Sequence, residues 1–195
     1  MIKKTLEQIA RMASGTVDDK FSNVTVHGVT KDTREDLTGS LYIPIVGENF
    51  NGHRFVEQAI QEKGAAASLW QKDQPNPPSN IPLVYVEDTV LALQQMSRVY
   101  RDELNIKVVG VTGSNGKTTT KDIVTSLLQT TFKVHKTAGN YNNHIGLPLT
   151  LLSMGEDTEV AVLEMGMSDF GEIQLLSEIA KPDVAIITNI GESHM

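Results

Sequence analysis

The spacing of apolar residues changes character several times along the chain. In MIKKTLEQIARMASG, Leu6, Ile9, Ala10 and Ala13 return every three or four residues, which predicts an amphipathic helix stopped by Gly15. NVTVHGV alternates as a half-buried strand does, and SLYIPIVG predicts a second strand running into a glycine loop. HRFVEQAIQEKG returns to helical spacing, with Phe55, Val56, Ala59 and Ile60 inward and Gly64 past its end. AAASLW and PLVYVED complete a small α/β set. The strongest break is QKDQPNPPSNIP, residues 71–82, whose prolines and asparagines sustain neither a helix nor an internal strand. Beyond it, DTVLALQQMSRVYRDEL predicts a helix with Asp88 as N-cap. Val90, Leu91, Leu93, Met96, Val99, Tyr100 and Leu104 recur there at helical spacing.

The pattern then simplifies. IKVVGVTG, EVAVLEMG and DVAIITNIG are short, continuously apolar runs, as expected of strands covered on both faces. KTTTKDIVTSLLQTTF predicts a helix burying Ile123, Val124, Leu127 and Leu128, and GEIQLLSEIA reads as a crossover helix. Strands alternating with helices imply a parallel sheet with right-handed crossovers. About three core strands fit after residue 105. The expected fold class is α/β. A small mixed α/β domain occupies residues 1–85, and the first part of a parallel-sheet P-loop domain occupies 86–195. Ligands of such sheets sit beyond the carboxyl ends of the strands. That rule points to the 112–120 loop, Glu164, and Gly191 to His194.

Composition narrows the classes. The 195 residues hold no cysteine, so no disulfide framework or thiolate metal site is available. No run of eighteen apolar residues predicts a membrane span, and the amino terminus lacks the apolar core of a signal peptide. The expectation is a cytoplasmic protein. A net charge of −7 argues against sequence-independent binding of nucleic acid, yet leaves a single nucleotide open.

TGSNGKTTT, residues 112–120, carries the sharpest chemistry. It ends as a phosphate loop does, although Val111 stands where the usual pattern has its first glycine. Gly113 and Gly116 allow positive φ and close approach to phosphates. Lys117 reaches β- and γ-phosphates, and the Thr118 hydroxyl suits Mg²⁺. A strand before and a helix after complete the context. The reading is a shortened loop, with Gly113, Ser114, Asn115, Gly116, Lys117, Thr118 and Thr119 as the ATP-binding set and Lys117 as the catalytic cation. Glu164 closes an apolar strand of the same sheet, where a carboxylate can hold a hard cation. The alternative is a solvated strand-end residue.

VTGSNGKTTT resembles the corresponding loop of the Mur ligases and the related folylpolyglutamate synthetases. KTAGNYNNHIGLPLTLL and LEMGMSDFGEIQLLSEIAKPDVAIITNIGESH extend the resemblance to the Mur ligases, from about residue 25 onward. It implies a central ATPase domain using ATP and Mg²⁺, with Thr118, Glu164 and His194 around magnesium. It also implies that Thr33 and Arg34 of the DTR stretch, and Gly47, Asn51, Gly52 and His53 of GENFNGHRF, meet a uridine nucleotide. Asn140, Asn142 and Asn143 of GNYNN would face a muramoyl group, with Asn142 and Asn143 the stronger candidates. Read from the residues alone, DTR is equally a turn closed by Asp32, His53 equally an N-cap neighbour, and GNYNN equally an ordinary turn.

The activity implied is an ATP-dependent amide ligation of cell-wall precursor synthesis, joining D-alanyl-D-alanine to UDP-N-acetylmuramoyl-tripeptide through an acyl phosphate. Other members of the family, folylpolyglutamate synthesis and a non-catalytic nucleotide module stay open as alternatives. A GTPase is disfavoured by the lack of an NKxD motif. The family has three domains, so the chain is expected to be an amino-terminal piece, inactive alone. Its cut sheet edge is expected to favour self-association.

Overall fold

The computed structural model describes residues 1–191 and divides into two compact units, Met1–Met96 and Ser97–Met195. The first unit contains β1 (Lys3–Thr5), α1 (Leu6–Met12), β2 (Thr16–Val17), β3 (Thr25–His27), β4 (Val29–Thr30), β5 (Leu41–Tyr42), α2 (Val56–Gln61), β6 (Ala67–Gln71) and β7 (Leu83–Val86). The division falls inside α3 (Thr89–Leu104). The second unit continues with β8 (Lys107–Thr112), α4 (Lys117–Leu128), β9 (Val134–Lys136), α5 (Gly146–Leu152), β10 (Val160–Glu164), α6 (Glu172–Ala180) and β11 (Val184–Ile187).

In the first unit, β4, β5, β6 and β7 run parallel in that spatial order, and β2 closes the edge antiparallel to β7. β1 and β3 form a separate antiparallel pair. The expected helix is α1: Thr5 and Gln8 close a capping box, and Leu6, Ile9 and Ala10, with the C-cap Ala13, are buried. The helix ends at Met12, ahead of Gly15: Ser14 takes a left-handed φ of 52°, and Gly15 is required because a Cβ there would stand 2.5 Å from the Tyr85 carbonyl oxygen. The core joins Leu37, Tyr42, Val56, Ala59, Ala65, Trp70 and Leu83. Asp88 caps α3 by accepting from the Leu91 amide at 2.8 Å. Leu91 and Val99 of α3 are exposed, and Thr89, Gln94 and Ser97 lie inward in their place.

The second unit holds a parallel sheet of spatial order β11-β8-β10-β9. One strand more is present than periodicity predicts. β9, in FKVHK, is a three-residue edge strand among the described residues, preceded by Lys133 and ending in Lys136, too short and too charged to register as an apolar run. β10 is central and every residue of it is buried, including Glu164. β11 departs from expectation: Val184 and Ile187 are exposed, because it is the edge strand among the described residues. α4 departs too. Ile123 and Leu127 are exposed, Leu127 by 67%, while Lys121 and Thr125 are buried and Val124 and Leu128 half-buried. The inward stripe is displaced because polar Lys121 and Thr125 hold positions that a reading of apolar spacing passes over.

Candidate functional site

The P-loop follows β8 at the carboxyl edge of the sheet. Val111 is fully buried in β8, so the strand continues one residue beyond the place of the missing glycine and the loop is shortened accordingly. Gly113 has φ +132°, and a Cβ there would lie 2.1 Å from Thr188 Oγ1. Gly116 caps α4 at φ +80°, a left-handed conformation that favours glycine. The end of β11 holds the loop from the side. Ser114 N donates to Asn189 O at 3.2 Å, and Asn115 N to Asn189 Oδ1 at 2.9 Å. Thr188 Oγ1 donates to Asn115 O at 2.6 Å, and Gly191 N to Ser114 Oγ at 2.9 Å.

The amides of Ser114 and Asn115, both in the ATP-binding set, are therefore spent on Asn189. The amides of Lys117, Thr118 and Thr119 in the first turn of α4 have no acceptor within the helix and suit a phosphate. Lys117 Nζ arches back over the loop and donates to Gly113 O at 2.7 Å. A single apolar-to-polar reading of β11 gives no sign of this clasp; its signal is the polar pair Thr188–Asn189 at the end of an apolar strand.

Glu164 is the meeting point of the edge. It is 3% exposed. Thr118 Oγ1 donates to its Oε2 at 2.9 Å, and Asn142 Nδ2 to its Oε1 at 2.9 Å. Its amide donates to Thr137 Oγ1 at 3.0 Å. Lys121 Nζ stands 3.9 Å from Oε2 and donates to Thr137 O at 3.1 Å. Thr118 and Glu164 offer two hard oxygen atoms side by side, which fits Mg²⁺ completed by phosphate oxygens and water. No group of three His, Cys, Asp or Glu able to hold a metal occurs among the described residues. His194 lies outside the described residues.

The asparagines of GNYNN separate. Asn142 is bound to Glu164, and its carbonyl accepts from Gly166 N at 2.8 Å. Asn143 Oδ1 accepts from Gly146 N at 2.8 Å and from Ile145 N at 3.2 Å, capping α5. Asn140 is exposed. Asn143 is exposed as well, so Asn142 alone of the three is half-buried. Lys121 and Thr137 were not marked by the sequence reading; a lysine one helical turn after Lys117 on a sheet-facing helix is the available signal.

In the first unit the candidates are engaged locally. Asp32 Oδ1 accepts from Arg34 N at 2.9 Å and from Arg34 Nε at 2.8 Å, closing the turn. The Arg34 guanidinium holds the Asp32 carboxyl well below the usual carboxylate range. Arg34 itself is 88% exposed at the side chain, and Thr33 is half-buried. Gly47 N donates to Phe50 O at 2.7 Å, and Gly52 N to Ile45 O at 2.9 Å, folding 47–53 into a tight loop. A Cβ on Gly52 would meet Ile45 N at 2.8 Å.

His53 is buried and doubly engaged. Its Nε2 accepts from Gln71 N at 3.1 Å, so Nδ1 carries the proton and donates to Asn51 Oδ1 at 2.9 Å. Burial lowers its pKa. Trp70 meets the ring edge-on, with centroids 4.9 Å apart. Arg54, unmarked by sequence, covers the rings of Phe50 and Phe55 at 5.2 and 4.7 Å. Asn51, His53, Arg54, Trp70 and Gln74 line a cleft of 290 Å³.

Known proteins resemble the chain in both units. Residues 25–107 match the model of the Mur ligase family catalytic domain, and residues 111–195 match that of the Mur ligase middle domain. The UDP-N-acetylmuramoyl-tripeptide–D-alanyl-D-alanine ligase of Bacillus subtilis is 57% identical across the whole chain, which spans 43% of its length. The ligase of the same name from Escherichia coli is 33% identical, with 42% of its length spanned. Among solved structures, MurF from Acinetobacter baumannii superposes with a TM-score of 0.91 at 32% identity, covering all of this chain and 42% of that one. MurF from Thermotoga maritima, solved in complex with ADP, superposes at 0.76 with 37% identity over 87% of this chain and 39% of that one. On these matches, taken with the P-loop and Glu164 at one sheet edge, the chain belongs to the Mur ligase family.

Proposed function

We propose that the protein carrying this chain is an ATP-dependent ligase that joins D-alanyl-D-alanine to UDP-N-acetylmuramoyl-tripeptide, in the cytoplasmic synthesis of peptidoglycan precursors. The observation that carries the chemistry is the grouping of Lys117, Thr118 and Glu164 at the carboxyl edge of the sheet, with Thr118 and Glu164 2.9 Å apart. The choice of substrates rests on the likeness to ligases of that name.

Phosphoryl transfer from ATP to a carboxylate gathers negative charge, so the site works by positioning and charge neutralisation. The first-turn amides of α4 bind phosphate, and Lys117 exchanges the Gly113 carbonyl for the oxygens of the transferring group. Thr118 and Glu164 would hold magnesium, which supplies further charge neutralisation when bound. The acyl phosphate formed on the tripeptide is then open to the amine of the dipeptide, with phosphate leaving.

Unit one takes the uridine end. Asp32 engages two of the five N–H groups of Arg34, and the remaining three are available to a diphosphate oxygen. Thr33 and the 47–53 loop take other parts of the uridine nucleotide. Asn140 and Asn143, the two exposed asparagines of GNYNN, face the muramoyl group, while Asn142 holds that loop against Glu164. The test is phosphate release by a protein of the relatives' full length carrying these residues. Release that requires ATP, the UDP-linked tripeptide and D-alanyl-D-alanine together supports the reading. Release that proceeds with a different amine, or with no UDP-linked acceptor, contradicts it.

A further inference from the structure

Lys121 is a buried cation that the phosphate chemistry above does not use. It is 3% exposed and stands on α4 one turn beyond Lys117. Its Nζ is 3.9 Å from Glu164 Oε2, 3.1 Å from Thr137 O and 3.6 Å from Asp122 Oδ1. Asp122 also pairs with Lys136 at 2.8 Å and is half exposed, so its charge is answered from outside. Glu164 has no such second answer. Its other side-chain contacts are the neutral hydroxyl of Thr118 and the neutral amide of Asn142, and Lys121 is the cation paired with it among the described residues.

We propose that Lys121 is an internal counter-ion standing in the electrostatic place of a divalent cation beside Glu164, so that the cation enters only together with the negative charge of the nucleotide. The inference rests on the reading of Thr118 and Glu164 as the magnesium pair. A buried carboxylate is costly without an opposite charge, and Lys121 supplies one while the site holds no nucleotide. The same fixed charge repels a free divalent cation, since charges about 4 Å apart in a buried site interact strongly. The polyphosphate of a bound nucleotide reverses that balance. Lys121 acts through Glu164 and is a positioning residue.

The experiment uses Mn²⁺ as a spectroscopic probe on the full chain, with and without ADP, for the wild type, Lys121→Met and Lys121→Gln. The wild type should take up Mn²⁺ only when ADP is present. Lys121→Met should bind Mn²⁺ without nucleotide at least roughly tenfold more tightly than the wild type. Without metal, its unfolding midpoint should fall, and Mg²⁺ alone should restore part of the loss. Glu164→Gln added to that variant should remove the response to Mg²⁺. A lost hydrogen bond to Thr137 O would lower the midpoint without any response to Mg²⁺. Lys121→Gln keeps a donor but not the charge and should respond as Lys121→Met does, which covers the case of a methionine variant that fails to fold. Tight Mn²⁺ uptake by the nucleotide-free wild type, or equal Mg²⁺ responses in wild type and variants, overturns the proposal. A wild type that binds no Mn²⁺ even with ADP places the fault in the magnesium-pair reading instead.

Discussion

The two compact units treat their candidate residues in opposite ways. In the second, side chains from α4 and the loop after β9 converge on Glu164 at the end of β10, and what they leave open is a helix start with uncommitted amides. In the first, Arg34 is tied to Asp32, His53 to Asn51 and Gln71, and Asn51 to Gln74. The second unit is built around a place for a ligand's charge. The first uses most of its motif residues to shape two loops, and Arg34 stays exposed and the cleft beside Arg54 open. A motif residue can therefore be essential to a site without touching the ligand.

Loss of Lys117 should produce the largest effect. In a protein of the relatives' full length, Lys117→Ala should lower ligation by at least about a hundredfold, the scale for removing a group that neutralises transition-state charge. Circular dichroism should stay unchanged, because among the described residues Lys117 bonds only to loop carbonyls. Turnover near the wild-type level would remove the distinction between the units. Next comes Arg34→Ala, which should weaken binding of the UDP-linked substrate roughly ten- to a hundredfold, the worth of a charged hydrogen bond. The fold should be indifferent to the change, since the side chain is 88% exposed.

His53 sharpens the comparison from the other side. His53→Ala strands the Gln71 amide and should cost the first unit about 1–3 kcal/mol of stability. Trp70, the chain's one tryptophan, lies in that unit and reports its unfolding by fluorescence. An unchanged denaturation midpoint would return His53 to the ligand.

Acidification gives the smallest effect and the most specific contrast. Burial lowers the pKa of both His53 and His135, so the unfolded chain binds more protons below pH about 6.5. Both contribute stability that is present above that pH and is lost as pH falls through the depressed folded values. Protonated His53 can no longer accept from the Gln71 amide. His135 faces the Ser153 hydroxyl at 3.1 Å, which can turn to accept. Trp70 fluorescence should therefore show the first unit losing stability faster on acidification than the second, followed by hydrogen exchange. Equal slopes would count against the His53 lock.

Much of this was legible in the sequence, for identifiable reasons. The 112–120 loop is contiguous, so strand, glycines, lysine and threonine appear in order. Glu164 stands out because it is a charge ending a buried run. Asp88 and Gly15 are local signals as well. Lys121, Thr137 and Asn189 escape a reading of local spacing because their roles depend on residues 16 to 74 positions away, such as Glu164 and the loop. The displaced stripe of α4 has the same origin: a buried lysine looks like a surface lysine until its carboxylate is found. β9 was missed because a short edge strand needs few apolar residues.

The division of labour between the units is tested most directly by calorimetry in a crossed design. ADP with Mg²⁺, and separately the UDP-linked tripeptide, are titrated into the full-length wild type, Lys117→Ala and Arg34→Ala. The account predicts that Lys117→Ala loses ADP binding while keeping the affinity for the UDP-linked ligand, and that Arg34→Ala does the reverse. Equal losses of both ligands in either variant would contradict it.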